Sequence, residues 1–261
     1  MTTAAPRLAG WYVISLRPSG THDAVRRAAV ACGARLLPVS TLRLVPLPAT
    51  PALQAALACP RVVYTSPAAV RFAAMLLPLR PSPGQQVFAV GAGTAAALRR
   101  AGVPAAIAPA TRGDSEALLA LPGLQGTGAV GLVTAPGGRG LIAETLARRG
   151  ATVHRADVYR REPIRPRADR LDTLATLPAH SALLVSSAEA FDAFWSPTGD
   201  AASGLAARHA LLRGRPVVAS SPRLAAMLAD HGFTTIVTAE SAAPARMLAA
   251  LAADVAAGRF R

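Results

Sequence analysis

Arg61-Val62-Val63-Tyr64-Thr65-Ser66-Pro67-Ala68-Ala69-Val70-Arg71-Phe72 is the stretch that decides the fold. Its first residues form a short apolar run with β-branched side chains, the composition of a strand covered on both faces. Thr65 and Ser66 then place hydroxyls where a helix needs acceptors for its first amides. Pro67 stands at the first helical position, where a missing N–H costs no hydrogen bond. The segment predicts a strand over Arg61–Tyr64 that turns directly into a helix over Pro67–Leu76.

The same unit recurs. Ser186-Ser187-Ala188-Glu189-Ala190-Phe191 follows the apolar run Ala182–Val185, with Ser186 lying 121 residues after Thr65. Val87-Phe88-Ala89-Val90, then Ala95–Leu98 and Gly102, is echoed by Val217-Val218-Ala219-Ser220, then Ala225–Leu228 and Gly232, at an offset of 130 between the glycines. Ser115–Leu119 is echoed by Ala245–Ala249 at that same offset. Tyr12–Leu16 with Gly33 is echoed by Val130–Thr134 with Gly150, offset by 117. Two similar α/β units therefore share one chain.

Further strands are predicted over Trp11–Leu16, Arg35–Pro38, Val87–Val90, Val130–Thr134, Thr152–Ala156, Ala182–Val185, Val217–Ala219 and Thr235–Val237. Helices are predicted over Thr21–Ala31, Ala52–Ala58, Gly93–Ala101, Ser115–Leu121, Gly140–Arg149, Arg170–Thr176, Ala188–Trp195, Gly204–Leu212, Pro222–His231 and Pro244–Ala257. Gly33, Gly102, Gly150 and Gly232 each close a helix before a strand, where a left-handed residue is wanted. Strand and helix in alternation specify a parallel sheet with helices on both faces.

The order of the echoes sets the domain plan. Pieces near the N-terminus match the middle, and pieces of the middle match the C-terminal third. The plan expected is a discontinuous α/β domain from residues 1-44 and 164-261, with a second α/β domain, 48-158, inserted into it. Two linkers, about 41-47 and 159-163, must then cross. Both are extended in character and halted by proline. Side by side they would hinge a ligand cleft.

Composition narrows the chemistry. All 28 basic residues are Arg against 14 acidic ones, a net charge of +14. Without Lys there is no Schiff-base, pyridoxal-phosphate or P-loop lysine. Arginine forks carboxylate and phosphate, so an anionic partner is expected. Nucleic acid is not, because the arginines are scattered and few aromatics are available to stack on bases. Cys32 and Cys59 lack metal or disulfide spacing. The five histidines are isolated, so no metal site is expected. No apolar stretch of about 18 residues occurs, so no membrane span is expected, and Met1–Gly10 lacks the apolar core of a signal peptide. A cytoplasmic monomer is the expectation.

Six loops follow predicted strand ends: Arg17-Pro18-Ser19-Gly20-Thr21, Thr65-Ser66-Pro67, Val90-Gly91-Ala92-Gly93-Thr94, Pro136-Gly137-Gly138-Arg139-Gly140, Ser186-Ser187 and Ser220-Ser221-Pro222. Singly each reads as a helix cap. Together, at the strand ends where open sheets bind ligands, they describe a cradle of amides and hydroxyls for an anion with many acceptors. The candidate binding residues are Arg17, Thr65, Ser66, Gly91, Thr94, Gly137, Gly138, Arg139, Ser186, Ser187 and Ser221. Tyr159, in the second linker beside Arg160 and Arg161, is the candidate proton donor.

In that order over about residues 11 to 255, these motifs, with Asp114-Ser115-Glu116-Ala117-Leu118, Val158-Tyr159-Arg160-Arg161 and Ser221-Pro222-Arg223-Leu224-Ala225, resemble the uroporphyrinogen-III synthase family. The resemblance implies two flavodoxin-like domains joined by a two-stranded linker. It implies a small-molecule tetrapyrrole substrate, hydroxymethylbilane, carrying eight carboxylates. The reaction would be a lyase cyclisation: loss of the hydroxyl, an azafulvene cation, inversion of the last pyrrole through a spiro intermediate, and closure, with no cofactor. Tyr159 matches the family's linker tyrosine, thought to help the hydroxyl leave. Arg223-Leu224 stands where some members carry hydroxyls, so no catalytic threonine is carried over there. The alternative is a non-catalytic two-domain binding protein or regulator for a small polyanion on the same fold.

Overall fold

The computed structural model describes residues 7–110, 114–137, 140–196 and 205–260. In chain order the elements are β1 (Tyr12–Ser15), α1 (Asp23–Ala31), β2 (Arg35–Pro38), β3 (Leu42–Pro46), α2 (Thr50–Leu57), β4 (Arg61–Tyr64), α3 (Pro67–Leu76), β5 (Gln86–Ala89), α4 (Ala92–Arg100), β6 (Ala106–Ile107), α5 (Ser115–Leu119), β7 (Gly128–Thr134), α6 (Leu141–Arg148), β8 (Ala151–Asp157) and β9 (Tyr159–Pro163). The chain continues through α7 (Ala168–Ala175), β10 (Ser181–Val185), α8 (Ala188–Trp195), α9 (Leu205–Arg213), β11 (Val217–Ala219), α10 (Pro222–Asp230), β12 (Ile236–Thr238) and α11 (Pro244–Ala256).

Two units divide the chain: Met1–Arg43 with Glu162–Arg261, and Leu44–Arg161. The first holds a parallel sheet in the order β12-β11-β10-β1-β2. Numbered along the unit, that is the flavodoxin-like order 2-1-3-4-5. The second holds a parallel sheet in the order β6-β5-β4-β7-β8. Numbered along its own segment, this order is 3-2-1-4-5. Started instead at β7, it becomes 2-1-3-4-5. The two units are thus circular permutations of one plan, which is why β1 echoes β7 while β10 and β11 echo β4 and β5.

Strand alternation divides each core between the two faces of its sheet. In the first unit Ile14, Leu183 and Val217 pack with Phe191, Trp195 and Leu228. Their neighbours Val13, Leu184 and Val218 pack on the other face with Val25, Leu248 and Leu251. In the second unit Val62, Tyr64 and Val87 pack with Leu53, Val70 and Leu98, and Val63, Phe88 and Leu132 pack with Leu118 and Leu146. The helix ends follow the local chemistry. Ser66, Ser187 and Ser221 cap α3, α8 and α10 by accepting from the amides of Ala69, Ala190 and Leu224 at 3.0, 3.3 and 3.4 Å. The four predicted helix-closing glycines all have positive φ.

Some readings need correction. The first helix begins at Asp23 rather than Thr21, because the Thr21 hydroxyl donates to the Pro18 carbonyl at 2.6 Å and closes a turn before it. The edge strand β6 was not foreseen; it is two residues long and carries an exposed isoleucine. The two extended linker segments do lie side by side, as expected, pairing as β3 and β9, with Arg43 and Glu162 2.7 Å apart across the ribbon. The predicted start at Gly204 lies outside the described residues. Arg215 is buried and donates to the carbonyls of Leu177 and Pro178 and to the Ser181 hydroxyl. Cys59 is buried and Cys32 half-buried, both as free thiols.

Candidate active site

In a 2-1-3-4-5 sheet the ligand crevice opens where neighbouring strands send their connections to opposite faces. In the second unit that point lies between β4 and β7. A pocket of about 250 Å³ occupies it, lined by Thr65 and Ser66 after β4, by Thr134 at the end of β7 and Gly137 beyond it, by the first turn of α6, and by Arg155, Tyr159 and Arg161.

Tyr159 begins β9 and is only 3% exposed. Its ring stacks on Phe72 with centroids 5.2 Å apart and planes at 18°. Its hydroxyl lies 3.2 Å from the Ser66 hydroxyl. Thr65 donates to the Thr134 hydroxyl at 2.8 Å, tying the two strand ends together. Arg155 pairs with Asp157 at 3.0 Å and donates to the Ala135 carbonyl at 3.1 Å. Arg161 donates to the Pro136 carbonyl at 3.2 Å, and its guanidinium lies 5.8 Å from the centre of the Tyr159 ring. Both arginines therefore brace the loop after β7 and bring positive charge to the pocket wall. The arrangement offers a phenol proton for a leaving group, with arginines in the wall that can meet an anionic substrate.

Of the predicted residues, Thr65, Ser66, Gly137 and Tyr159 meet in this pocket. Gly138 and Arg139 lie outside the described residues. Gly91 caps α4 with φ −175°, an extended backbone that any residue adopts, so its role does not depend on glycine's conformational freedom. Thr94 is 2% exposed within that helix and is not among the pocket's lining residues. Arg17, Ser186, Ser187 and Ser221 belong to the first unit. There the Arg17 and Ser186-Ser187 loops follow β1 and β10, the matching switch point of that sheet. Arg17 donates to the Ala242 carbonyl at 2.5 Å, and burial lowers its pKa. Beside it, His22 is buried with Nε2 2.8 Å from the Ser40 hydroxyl. Burial, with the charges of Arg17 and Arg26, pushes this imidazole down to about 4.

Arg155 and Thr134 were not singled out beforehand, and Ser115, quoted within a motif, was not read as a site residue though it lines the pocket. Arg155 sits within β8 and reaches the pocket only because β8 lies beside β7, with Arg155 level with Leu132. Arg161 had a usable signal: two residues beyond Tyr159 on one strand, it falls on the same face. Among the described residues no group of three or more His, Cys, Asp or Glu is placed to hold a metal, and no helix is long and apolar enough to cross a membrane.

Comparison with known proteins places these features in a family. The family profile described as "Uroporphyrinogen-III synthase HemD" matches residues 23–249. The crystal structure of uroporphyrinogen-III synthetase from Helicobacter pylori is similar at 15% identity, covering 94% of this chain and 99% of that one, with a TM-score of 0.59. A mutant uroporphyrinogen III synthase from Thermus thermophilus is similar at 22% identity, covering 95% and 99%, with a TM-score of 0.56. At these identities the structural likeness speaks to the fold.

Proposed function

The chain belongs to the uroporphyrinogen-III synthase family, and on that premise we propose that it acts as a lyase on hydroxymethylbilane, with the second unit's switch-point pocket at the reacting end. It is an enzyme of tetrapyrrole biosynthesis. The observation that carries the finer reading is the buried Tyr159 phenol at the wall of a pocket that also contains Arg155 and Arg161.

The steps balance without an oxidant or reductant. The terminal carbon–oxygen bond of the bilane breaks, and the hydroxyl leaves as water with the proton of Tyr159. The pyrrole left behind is an azafulvene cation, which the cationic walls would not stabilise; the substrate's own carboxylates offset its charge. The last ring attacks the terminal carbon through its substituted α position to give the spiro intermediate; its bond to the neighbouring methylene bridge then breaks, and the bridge re-bonds at the ring's other α carbon, which loses its hydrogen as a proton. The proton lost on closure restores the phenol. Arg155 and Arg161 contribute by holding carboxylates and by fixing the loop after β7, so that the linear substrate is kept folded. Arg17 and the Ser186-Ser187 and Ser221 loops of the first unit are proposed to bind further carboxylates, as are Gly91 and the Gly137-Gly138-Arg139 loop of the second. This reading needs no cofactor. A cytoplasmic monomer is part of this reading.

The test of the reaction class is mass balance. Chelator-treated protein supplied with hydroxymethylbilane is expected to give a macrocycle lighter by one water, measured by mass spectrometry, faster than a protein-free control. A product of unchanged mass, or no turnover until a metal or organic cofactor is restored, would overturn the cofactor-free lyase reading.

A further inference from the structure

We infer that Ser66 is a positioning residue for Tyr159: its hydroxyl donates to the phenol oxygen and leaves the phenol proton free to point into the pocket. This rests on the reading that Tyr159 protonates the departing hydroxyl. Either hydroxyl can donate at this separation; the direction proposed is the one that keeps the Tyr159 hydrogen for the pocket. A serine hydroxyl has one hydrogen to donate and two lone pairs to accept with. The amide of Ala69 can only donate, and it lies 3.0 Å from Ser66 Oγ, so one lone pair is committed to capping α3. The cap fixes Oγ in place and leaves the hydroxyl hydrogen to be used. Tyr159 Oη, 3.2 Å away, is the acceptor we assign to it.

The phenol cannot turn away to choose otherwise. Its ring is 3% exposed and stacked on Phe72. The neighbouring hydroxyl does not compete, because Thr65 is turned to Thr134. With its oxygen accepting from Ser66, Tyr159 has its own hydrogen left for a ligand in the pocket that both residues line. The same bond strengthens as the phenol oxygen gains negative charge during proton transfer, since hydrogen bonds to ionised groups are the stronger ones. Ser66 therefore acts through Tyr159 rather than by touching the reacting carbon.

The experiment uses the full chain with Ser66→Gly, Ser66→Thr, Tyr159→Phe and the Ser66→Gly/Tyr159→Phe double variant. Glycine is nearly as good an N-cap as serine, so Ser66→Gly removes the hydroxyl while sparing the helix. Its kcat for uroporphyrinogen III formation should fall roughly three- to tenfold, the scale of one hydrogen bond, with KM within about twofold. Ser66→Thr, which keeps the hydroxyl, should restore kcat. In the Tyr159→Phe background, Ser66→Gly should change kcat by less than about twofold, because the partner it serves is gone. Unchanged kcat in Ser66→Gly, or an equal loss in both backgrounds, overturns the assignment. Those results with an active wild-type chain overturn the positioning role alone. A wild-type chain that forms no uroporphyrinogen III overturns the functional reading, and this inference with it.

Discussion

Tyr159→Phe is expected to lower kcat by roughly a hundredfold, within the range of one general acid, while leaving KM and the unfolding midpoint nearly unchanged. The separation is possible because the ring and the hydroxyl have different partners. The ring is held by Phe72 at 5.2 Å, and phenylalanine keeps that stack. The hydroxyl touches Ser66 at the pocket wall, and only that contact is lost. Steady-state kinetics on hydroxymethylbilane, with a denaturation curve on the same preparation, reads both quantities. Unchanged turnover would reduce Tyr159 to a packing residue. A slower enzyme with a lowered midpoint would mean that the hydroxyl serves the fold rather than the reaction.

Gly131→Ala should be the most damaging single methyl in the second unit, costing roughly 3 kcal/mol or more in denaturant unfolding. Gly131 lies in the middle of β7, and α2 packs across it. A Cβ there would fall 2.0 Å from the Ala56 carbonyl oxygen and 2.7 Å from its carbon. Both are backbone atoms of α2, so no rotamer can relieve the contact and the helix itself must shift. That helix also buries Leu53 on the sheet, so moving it opens the core. Gly126→Ala is the control: its Cβ would meet only the Arg61 guanidinium, at 3.7 Å, and should change stability by less than about 0.5 kcal/mol. Equal midpoints for the two variants would contradict the close packing of α2 on β7.

These two residues mark where the sequence was legible. The β4–α3 unit could be read because each signal is local: β-branched residues in the strand, Ser66 at the cap, Pro67 in the first turn. The permutation was visible in the fixed offsets between echoes, since equivalent strands keep equivalent spacing whichever of them begins the unit. Gly131 was not read, since a glycine within an apolar run shows only a weak strand; the approach of α2 that requires it comes from 75 residues away. Arg155 was missed for the same reason, as its place at the pocket depends on β8 lying beside β7. Gly91 could be read as a small residue at a helix start, but not whether it serves φ or close approach, since the two look alike in sequence. Tyr159 was reached through its place in the linker and the family resemblance. Its bond to Ser66 joins residues 93 apart, and no spacing rule could supply it.

We propose that this chain directs ring inversion as well as closure, its pocket holding the bilane folded while the hydroxyl leaves. The most direct measurement is the isomer composition of the product. Purified protein is supplied with hydroxymethylbilane, the reaction is stopped within seconds, and the isomers are oxidised and separated by chromatography. Uroporphyrinogen III is the product predicted, in amounts that rise with enzyme and exceed those of the non-inverted isomer that forms without it. The non-inverted isomer alone, at the same rate with and without protein, would contradict the account.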